Sequence, residues 1–458
     1  MIREIIKKSP YFIQQPIRIM FNKMPYVVQY GRVFNDTYKF LQQSQNWTKE
    51  RLQNYQLKKI RELLNFCYDY VPFYQKKWND YGINVKTIKD FEDFKKLPFT
   101  TKQELINNSE EFIPTVFDRE KLIRTRSGGT TGSPANFYET QESIDKELAF
   151  YTRYWICNGY DFSKDKCAIL RGSYEINNDI QIKGRKHFMS AFDLNRNKLK
   201  LYIDYINKNK IKFLQAYPSL AYELFKVAYE ENSVEELSSI RVVFCASEKM
   251  YDFQKKFIEN NFNVKCSMSY GHQEHCALFQ QIDSTDRYSI IPEYGYAEFI
   301  DIEKDENSPL KEIVSTGFNN LATPLIRYKT NDYAEIDKCL KVATKFPYDN
   351  FVKDIAGRSG DILITPKGNI IQPNHLEYAI RYINHFKDCL IIQDGFDHLT
   401  VLIVPCEGYT KAEGEEYKQK ILWRLNDYMN IDIKLVETIE RPRNGKKRYT
   451  MNTYNKVI

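Results

Sequence analysis

The sequence predicts an α/β protein: a large N-terminal domain with parallel sheets and a β-rich subdomain, then a small C-terminal α+β domain. Three observations predict it. Over residues 167–269, short apolar runs alternate with stretches of helical period, the rhythm of a mostly parallel sheet. Over residues 287–330 the apolar runs crowd together with turns between them, as closely spaced strands do. Finally, 458 residues exceed what one hydrophobic core usually holds, and residues 354–361 form a natural linker in which Gly357 and Gly360 bracket Arg358. The division expected is residues 1–356 and 357–458.

In chain order, residues 47–81 read as helix, with Leu52, Leu57, Ile60, Leu63, Leu64 and Cys67 at near-helical spacing. Val71-Pro72 interrupts it, since proline cannot continue a helix interior. Residues 97–105 read as an extended segment entering a helix, and Thr101 with Glu104 has the spacing of a capping box. Residues 122–125 are a short strand candidate and 141–158 a helix. Strands are then expected at 167–170, 211–217, 240–245 and 264–269, with helices at 199–209, 219–231 and 251–261. The β-rich part is expected to hold strands at 296–302, 312–316 and 324–328. The C-terminal unit reads as a hairpin (361–365 and 370–372), a helix at 373–384, strands at 389–393 and 399–404, a helix at 415–429, and a closing segment from Val436.

Composition narrows the function. At 42% hydrophobic and 28% charged residues the chain is an ordinary globular protein rather than a disordered one. A net charge of +7, spread over the whole length, argues against a nucleic-acid surface. The nine cysteines form no Cys-x-x-Cys pair and several lie in apolar runs, which points to free thiols in a reducing compartment, the cytoplasm. No apolar run approaches the roughly 20 residues of a membrane helix. Residues 1–33 mix Ile, Phe and Tyr with Lys and Arg, a pattern that packs against the protein body or makes weak peripheral membrane contact.

One stretch carries chemistry by itself. Arg126 is followed by Ser127, Gly128, Gly129, Thr130, Thr131, Gly132, Ser133 and Pro134. Glycines let a backbone approach a ligand, consecutive amides form an anion-binding concavity, and hydroxyls add donors. The set suits phosphate oxygens, although no Lys-Ser/Thr pair follows as in a Walker loop.

Further segments, taken in order, resemble the acyl-adenylate-forming superfamily, and within it the phenylacetate-CoA ligase branch with its CapK-type members. Residues 126–134 match the phosphate loop. Val71-Pro72-Phe73-Tyr74 and Leu97-Pro98-Phe99-Thr100-Thr101-Lys102 are similar to segments of this branch. Tyr270-Gly271-His272-Gln273-Glu274 matches the aromatic-Gly-x-x-Glu motif. Residues 327–332 match the motif that ends in Asp332, with Asn331 where glycine is usual. Gly357-Arg358 opens the hinge motif, and Asn444-Gly445-Lys446 matches the Gly-Lys motif near the C-terminus.

The resemblance implies a two-step reaction. A carboxylate attacks the α-phosphate of ATP to give an acyl-adenylate and pyrophosphate; a thiol (that of CoA) or an amine then displaces AMP. It implies Ser127 to Gly132 at the phosphates, with Thr130 acting in catalysis, and Glu274 acting through Mg²⁺, a hard cation that takes one or two carboxylates. Ala246, Ser247 and Glu248 resemble the segment that lines the adenine pocket, with Tyr270 and Gly271 beside it. Asp332 is the ribose acceptor, and Arg358 contacts the ribose or phosphate side. Lys446 reaches the reacting carboxylate and α-phosphate, and Lys447 competes with it for that role. Tyr217, His272 and Gln273 approach the acid. The resemblance also implies that the small C-terminal α+β domain can rotate between the two steps; the usual hinge acid is displaced, leaving Gly360 or Asp361 as the pivot. His275-Cys276 invites a zinc reading, but no Cys or His occurs from Phe279 to Asp301, so packing is the expected role and no structural zinc is expected. A different class, a catalytically silent relative that acts as an assembly partner, stays open at this point because of Asn331 and the hinge.

Overall fold

The computed structural model describes residues 26–126, 135–171, 179–191, 194–282, 286–302, 309–336, 351–358, 361–367, 370–371, 376, 385–425, 428–440 and 447–454. It opens with helices α1 (Tyr26–Ser44), α2 (Lys49–Tyr70) and α3 (Pro72–Asp80). Thr48 caps α2 by accepting the Arg51 N–H, and the helix buries Leu52, Ile60, Leu63, Leu64 and Cys67 along one stripe. It stops at Val71, and Pro72 opens α3 in the first turn, where its missing N–H costs nothing. Helix α1, interrupted at Gly31, was not expected. Its Phe34 and Leu41 pack with Phe150 and Tyr154 of helix α6 (Gln141–Cys157). Residues 1–25, where most of the membrane-contact expectation falls, lie outside the described residues.

Helix α4 (Phe91–Lys95) leads to α5 (Lys102–Asn107), which carries the expected capping box between Thr101 and Glu104. Both proline-containing segments converge on residues 324–329. The Tyr74 hydroxyl donates to Pro324 O at 3.2 Å and accepts from the Ile326 N–H at 2.9 Å. Thr100 donates its N–H to Arg327 O at 3.0 Å, and its own carbonyl accepts from the Lys329 N–H at 2.9 Å. Arg327 is buried in an ion pair with Glu298 at 2.8 Å and also donates to the carbonyls of Lys95 and Leu97. This explains a departure from expectation. Residues 324–327 are not a strand, because Arg327 has a φ of 46° and its carbonyl and guanidinium serve the N-terminal segments. The strand begins at Tyr328.

Strands β1 (Ile123–Arg126) and β2 (Asn136–Glu139) pair antiparallel, with Arg126 opposite Asn136. The phosphate-loop candidates Ser127, Gly128, Gly129, Thr130, Thr131 and Gly132 lie outside the described residues.

Among the described residues, a nine-stranded sheet forms the centre. Its parallel core is β5 (Lys186–Ser190), β3 (Cys167–Arg171), β6 (Phe213–Ala216), β7 (Val242–Ala246) and β8 (Lys265–Gly271), in that spatial order. Helices α7 (Arg196–Asn209), α8 (Pro218–Glu230) and α9 (Asp252–Phe262) are the crossovers read from the sequence. Antiparallel strands extend both edges: β4 (Ile180–Lys183) on one side, β9 (Leu278–Gln280), β10 (Tyr288–Ile290) and β14 (Phe351–Val352) on the other. A second, antiparallel sheet orders β11 (Gly295–Asp301), β12 (Leu310–Gly317), β13 (Tyr328–Glu335) and β15 (Asp354–Arg358). The expected linker is thus strand for its first five residues, bulged between its partners Tyr333 and Ala334.

The C-terminal domain holds the short hairpin β16 (Leu363–Ile364) and β17 (Ile370–Ile371). Its main sheet has the order β20 (Asn430–Leu435), β19 (His398–Pro405), β18 (Phe386–Gln393) and β21 (Thr450–Asn452), covered by α10 (Lys411–Leu425). Strands β20 and β21 were not anticipated, and the helix ends at Leu425 rather than 429. The helix expected at 373–384 falls, except for Leu376, outside the described residues.

Candidate active site

The loops that follow β6, β7 and β8 leave the carboxyl edge of the parallel core, where open α/β sheets place ligands. These loops and the strand ends that feed them carry Tyr217, then Ala246-Ser247-Glu248, then Tyr270-Gly271-His272-Gln273-Glu274. Strand β13 brings Asp332 to the same place. The Tyr270 hydroxyl donates to Asp332 Oδ2 at 2.9 Å, and Asp332 stands opposite Arg358 in the β13–β15 register. Three residues named from distant motifs are therefore neighbours. Asp332 is buried, and its own N–H donates to the Thr330 hydroxyl at 3.1 Å. Asn331 sits at a φ of 57°, where glycine is more usual and asparagine is tolerated. Burial, then the Asp332 charge, pushes the Tyr270 phenol well above its usual pKa, so it stays a proton donor. The Tyr270 ring packs on Phe279 at 5.0 Å.

The Glu274 carboxylate is 3.3 Å from His272 Nδ1, and the other nitrogen of that ring contacts Cys276 Sγ at 3.5 Å. Burial raises the Cys276 pKa, so the sulfur is a thiol despite its imidazole neighbour. A nearly buried carboxylate is an oxygen donor of the kind Mg²⁺ takes once when phosphates supply its other ligands, so Glu274 fits that ion. Gln273 is exposed at the tip of the loop, whereas His272 turns inward. Among the described residues, no group of three or more His, Cys, Asp or Glu is arranged to hold a metal.

His275 anchors this loop, a role the sequence reading missed. Its Nε2 meets Glu139 of β2 at 3.0 Å; its Nδ1 lies 3.4 Å from Glu147 of α6 and 3.2 Å from the Tyr294 hydroxyl. Burial disfavours charge on this ring, but the two carboxylates outweigh it and lift the pKa to about 10. The backbone on either side is held by contacts only glycine permits: a Cβ at Gly317 would stand 2.6 Å from His275 O, and one at Gly295 would stand 2.7 Å from Cys276 O. Glu139 follows the glycine-rich stretch by a few residues, so this imidazolium joins the strand leaving residues 127–134 to the loop bearing Glu274.

Glu248 is committed to contacts. One oxygen accepts the Ser219 N–H at 3.1 Å, at the first turn of α8, and the other accepts the Lys447 N–H at 2.9 Å. Ser247 before it is exposed, at a φ of 72°. Lys447 points away: its ammonium pairs with Asp388 at 2.8 Å and lies 4.8 Å above the Tyr449 ring. It lines a cavity of about 520 Å³ between α8, α9 and the small domain, with Tyr222, Lys226, Phe253 and Lys387. Tyr217 is half-buried beside the parallel core. Lys446 lies outside the described residues, as do Gly360 and the side chain of Arg358; Asp361 is described and contacts Arg448 at 3.4 Å.

Comparison with known proteins points to the same relatives as the resemblance. Residues 363–453 match the family model of the CapK C-terminal domain. Over 99% of both chains the sequence is 23% identical to protein CapK of Staphylococcus aureus. It is 25% identical to the phenylacetate-coenzyme A ligase of Escherichia coli (strain K12), over 73% of this chain and 77% of that one. Among solved structures, 2-hydroxyisobutyryl-CoA ligase in the postadenylation state with an acyl-AMP is similar at a TM-score of 0.68 and 16% identity, covering 89% of this chain and 92% of that one. The same ligase in its thioesterification state, with CoA, gives a TM-score of 0.55 at 17% identity, over 89% and 91%. The chain is thus a homologue of CapK and of the phenylacetate-CoA ligases, and it has the fold of the acyl-adenylate-forming ligases.

Proposed function

We propose that this protein is an ATP-dependent, AMP-forming carboxylate ligase. The observation that carries the reading is the hydrogen bond of Tyr270 to Asp332 at the carboxyl edge of the parallel sheet, with Arg358 opposite Asp332 in the strand register. A fixed, buried carboxylate that accepts from a phenol suits the paired hydroxyls of a ribose. In the first half-reaction an oxygen of the substrate carboxylate bonds to the α-phosphorus while the bond to the β-phosphate oxygen breaks, releasing pyrophosphate. The backbone amides and hydroxyls of Ser127 to Gly132, with Thr130, hold the departing phosphates. Mg²⁺, held by Glu274, neutralises phosphate charge when bound. Lys446 brings a positive charge to the two anions that must meet. The engagement of Lys447 by Asp388 supports Lys446, rather than its neighbour, in that role.

In the second half-reaction the thiol or amine of the acceptor bonds to the acyl carbon, AMP leaves, and the acceptor's proton is released. The coenzyme A in the relatives' names supports CoA as that acceptor; an amine, including one on a sugar of a surface polysaccharide, is the other chemistry the intermediate allows. Tyr217 and His272 border the acid. The better fit to the postadenylation state than to the thioesterification state supports a small domain standing near its place in the first half-reaction. The proposed domains are residues 1–356 and 357–458, with rotation about Gly360 or Asp361.

Pyrophosphate release from ATP, measured over a panel of carboxylic acids, tests the reading. At least one acid should support release, and Lys446→Ala should abolish it while ATP still binds. If no acid does so, the ligase reading is wrong. Mass analysis of products formed with CoA and with amino sugars then assigns the acceptor.

A further inference from the structure

The stretch from Ser247 to Gln254 touches the large domain, the first residues of β15 and the small domain. Glu248 accepts one N–H from the large domain (Ser219) and one from the small domain (Lys447). Next to it Lys249, its side chain 9% exposed, pairs with Asp354 and donates to Ile355 O at 3.1 Å. Those two residues begin β15, whose Gly357 has a φ of 104° that a side chain would resist. Tyr251 meets the Tyr449 ring edge-on at 4.8 Å beside Cys389, and Gln254 donates to the Tyr449 hydroxyl at 3.3 Å. Ser247, at its positive φ, turns this run away from β7, whose end the adenine-side residues occupy.

We propose that Glu248 and Lys249 form an interdomain latch: one loop holds the small domain through the Lys447 amide and holds the base of the hinge through Asp354 and Ile355. A carboxylate suits the first task because both facing groups are donors and it supplies two acceptors. A lysine suits the second because its ammonium can serve a carboxylate and a carbonyl at once. The latch stands on these contacts alone. Its coupling to nucleotide rests on the ligase reading: the loop that would wall the adenine pocket also docks the small domain, so ordering it for one task favours the other, and each then strengthens the other by the same factor.

The test is limited trypsin digestion of the full chain, reading cleavage after Lys353 and Arg358 by mass. Pairing of β15 protects those bonds while the latch is closed. Lys249→Met keeps the stem and removes the charge. Glu248→Gln keeps the shape but turns one acceptor toward a donor. Both variants should be cut about tenfold faster than wild type, since cleavage follows the population of the open form. Melting of the large domain and far-UV circular dichroism should not change, which separates unlatching from unfolding. Lys256→Met, which removes an exposed charge from α9, is the control and should be cut like wild type. Wild-type cleavage rates in both latch variants would overturn the proposal. For the coupling, ATP with Mg²⁺ should slow cleavage of wild type and do so less in Lys249→Met; equal protection overturns the coupling. Equilibrium dialysis keeps the two readings apart. A wild-type chain that binds no ATP defeats the ligase reading and the coupling, while the nucleotide-free digestion still decides the latch.

Discussion

Replacing Tyr270 with Phe removes one oxygen atom and tests the centre of the proposed site. The phenol donates to Asp332 at 2.9 Å, and Asp332 is only 7% exposed, so water cannot easily replace the lost donor. A hydrogen bond to a charged group contributes about 1.5–3 kcal/mol, and a buried acceptor belongs toward the upper end. If that energy acts on nucleotide positioning, kcat/KM for ATP falls by roughly 10- to 150-fold, at about 1.36 kcal/mol per decade. The assay is acid-dependent exchange of labelled pyrophosphate into ATP, which reports adenylate formation without the acceptor. Asp332→Asn and the double variant complete a cycle, and the two losses should be far from additive because the residues share one bond. A Tyr270→Phe enzyme within about twofold of wild type, additive with Asp332→Asn, would refute the assignment of this pair to the nucleotide site.

Other outcomes follow from the same geometry. Lys446→Ala should lower pyrophosphate exchange by about 100-fold or more, of the order seen when a charge aimed at a transition state is removed, whereas Lys447→Met should retain exchange and loosen the small domain. Glu293 is fully buried, paired with Arg153 at 2.8 Å and accepting from Ser44 at 2.6 Å. Glu293→Ala leaves Arg153 uncompensated and should cost about 3–5 kcal/mol in denaturant unfolding of the large domain, much of it recovered in Arg153→Met/Glu293→Leu. The raised pKa of His275 has a sign. Folding retains a proton that the unfolded chain releases near pH 6.5, so its stabilisation is complete below that pH and is lost as pH rises through about 10. In His275→Gln, the fall in thermal stability from pH 7 to 10 should flatten, measured by calorimetry.

Most of the parallel core was legible because its strands are apolar runs set between helices of clear period, and all three crossover helices begin within three residues of expectation. The capping box at Thr101 and the stop at Pro72 were legible for a similar reason: each rests on chemistry within four residues. What escaped depends on partners far along the chain. Residues 324–327 look like a strand by their apolar content, yet Tyr74 and Thr100 occupy their backbone groups. Helix α1 hides its period behind Gly31 and a mostly polar surface, and its buried residues acquire meaning only against α6. In the proposed site, Tyr270, Asp332 and Arg358 were named through motif order, which survives distance. For His275 packing was expected over zinc, but its partners, Glu139 and Glu147, could not be named because they are separated from it by more than a hundred residues. Lys249 carried no signal at all, since a lysine beside a glutamate reads as solvated charge.

The convergence of Tyr74 and Thr100 on residues 324–329 has a consequence for biosynthesis. These bonds join positions 226 to 252 residues apart. At about 5–20 residues per second, a ribosome needs roughly 11–50 s to deliver the second partner after the first. Through that interval Trp78, Phe94 and Phe112, all buried in the finished protein, wait beside a sheet that does not yet exist. The nascent chain should therefore engage a holding chaperone until Tyr328 emerges, and chains truncated before that residue should remain chaperone-bound and soluble only in its presence.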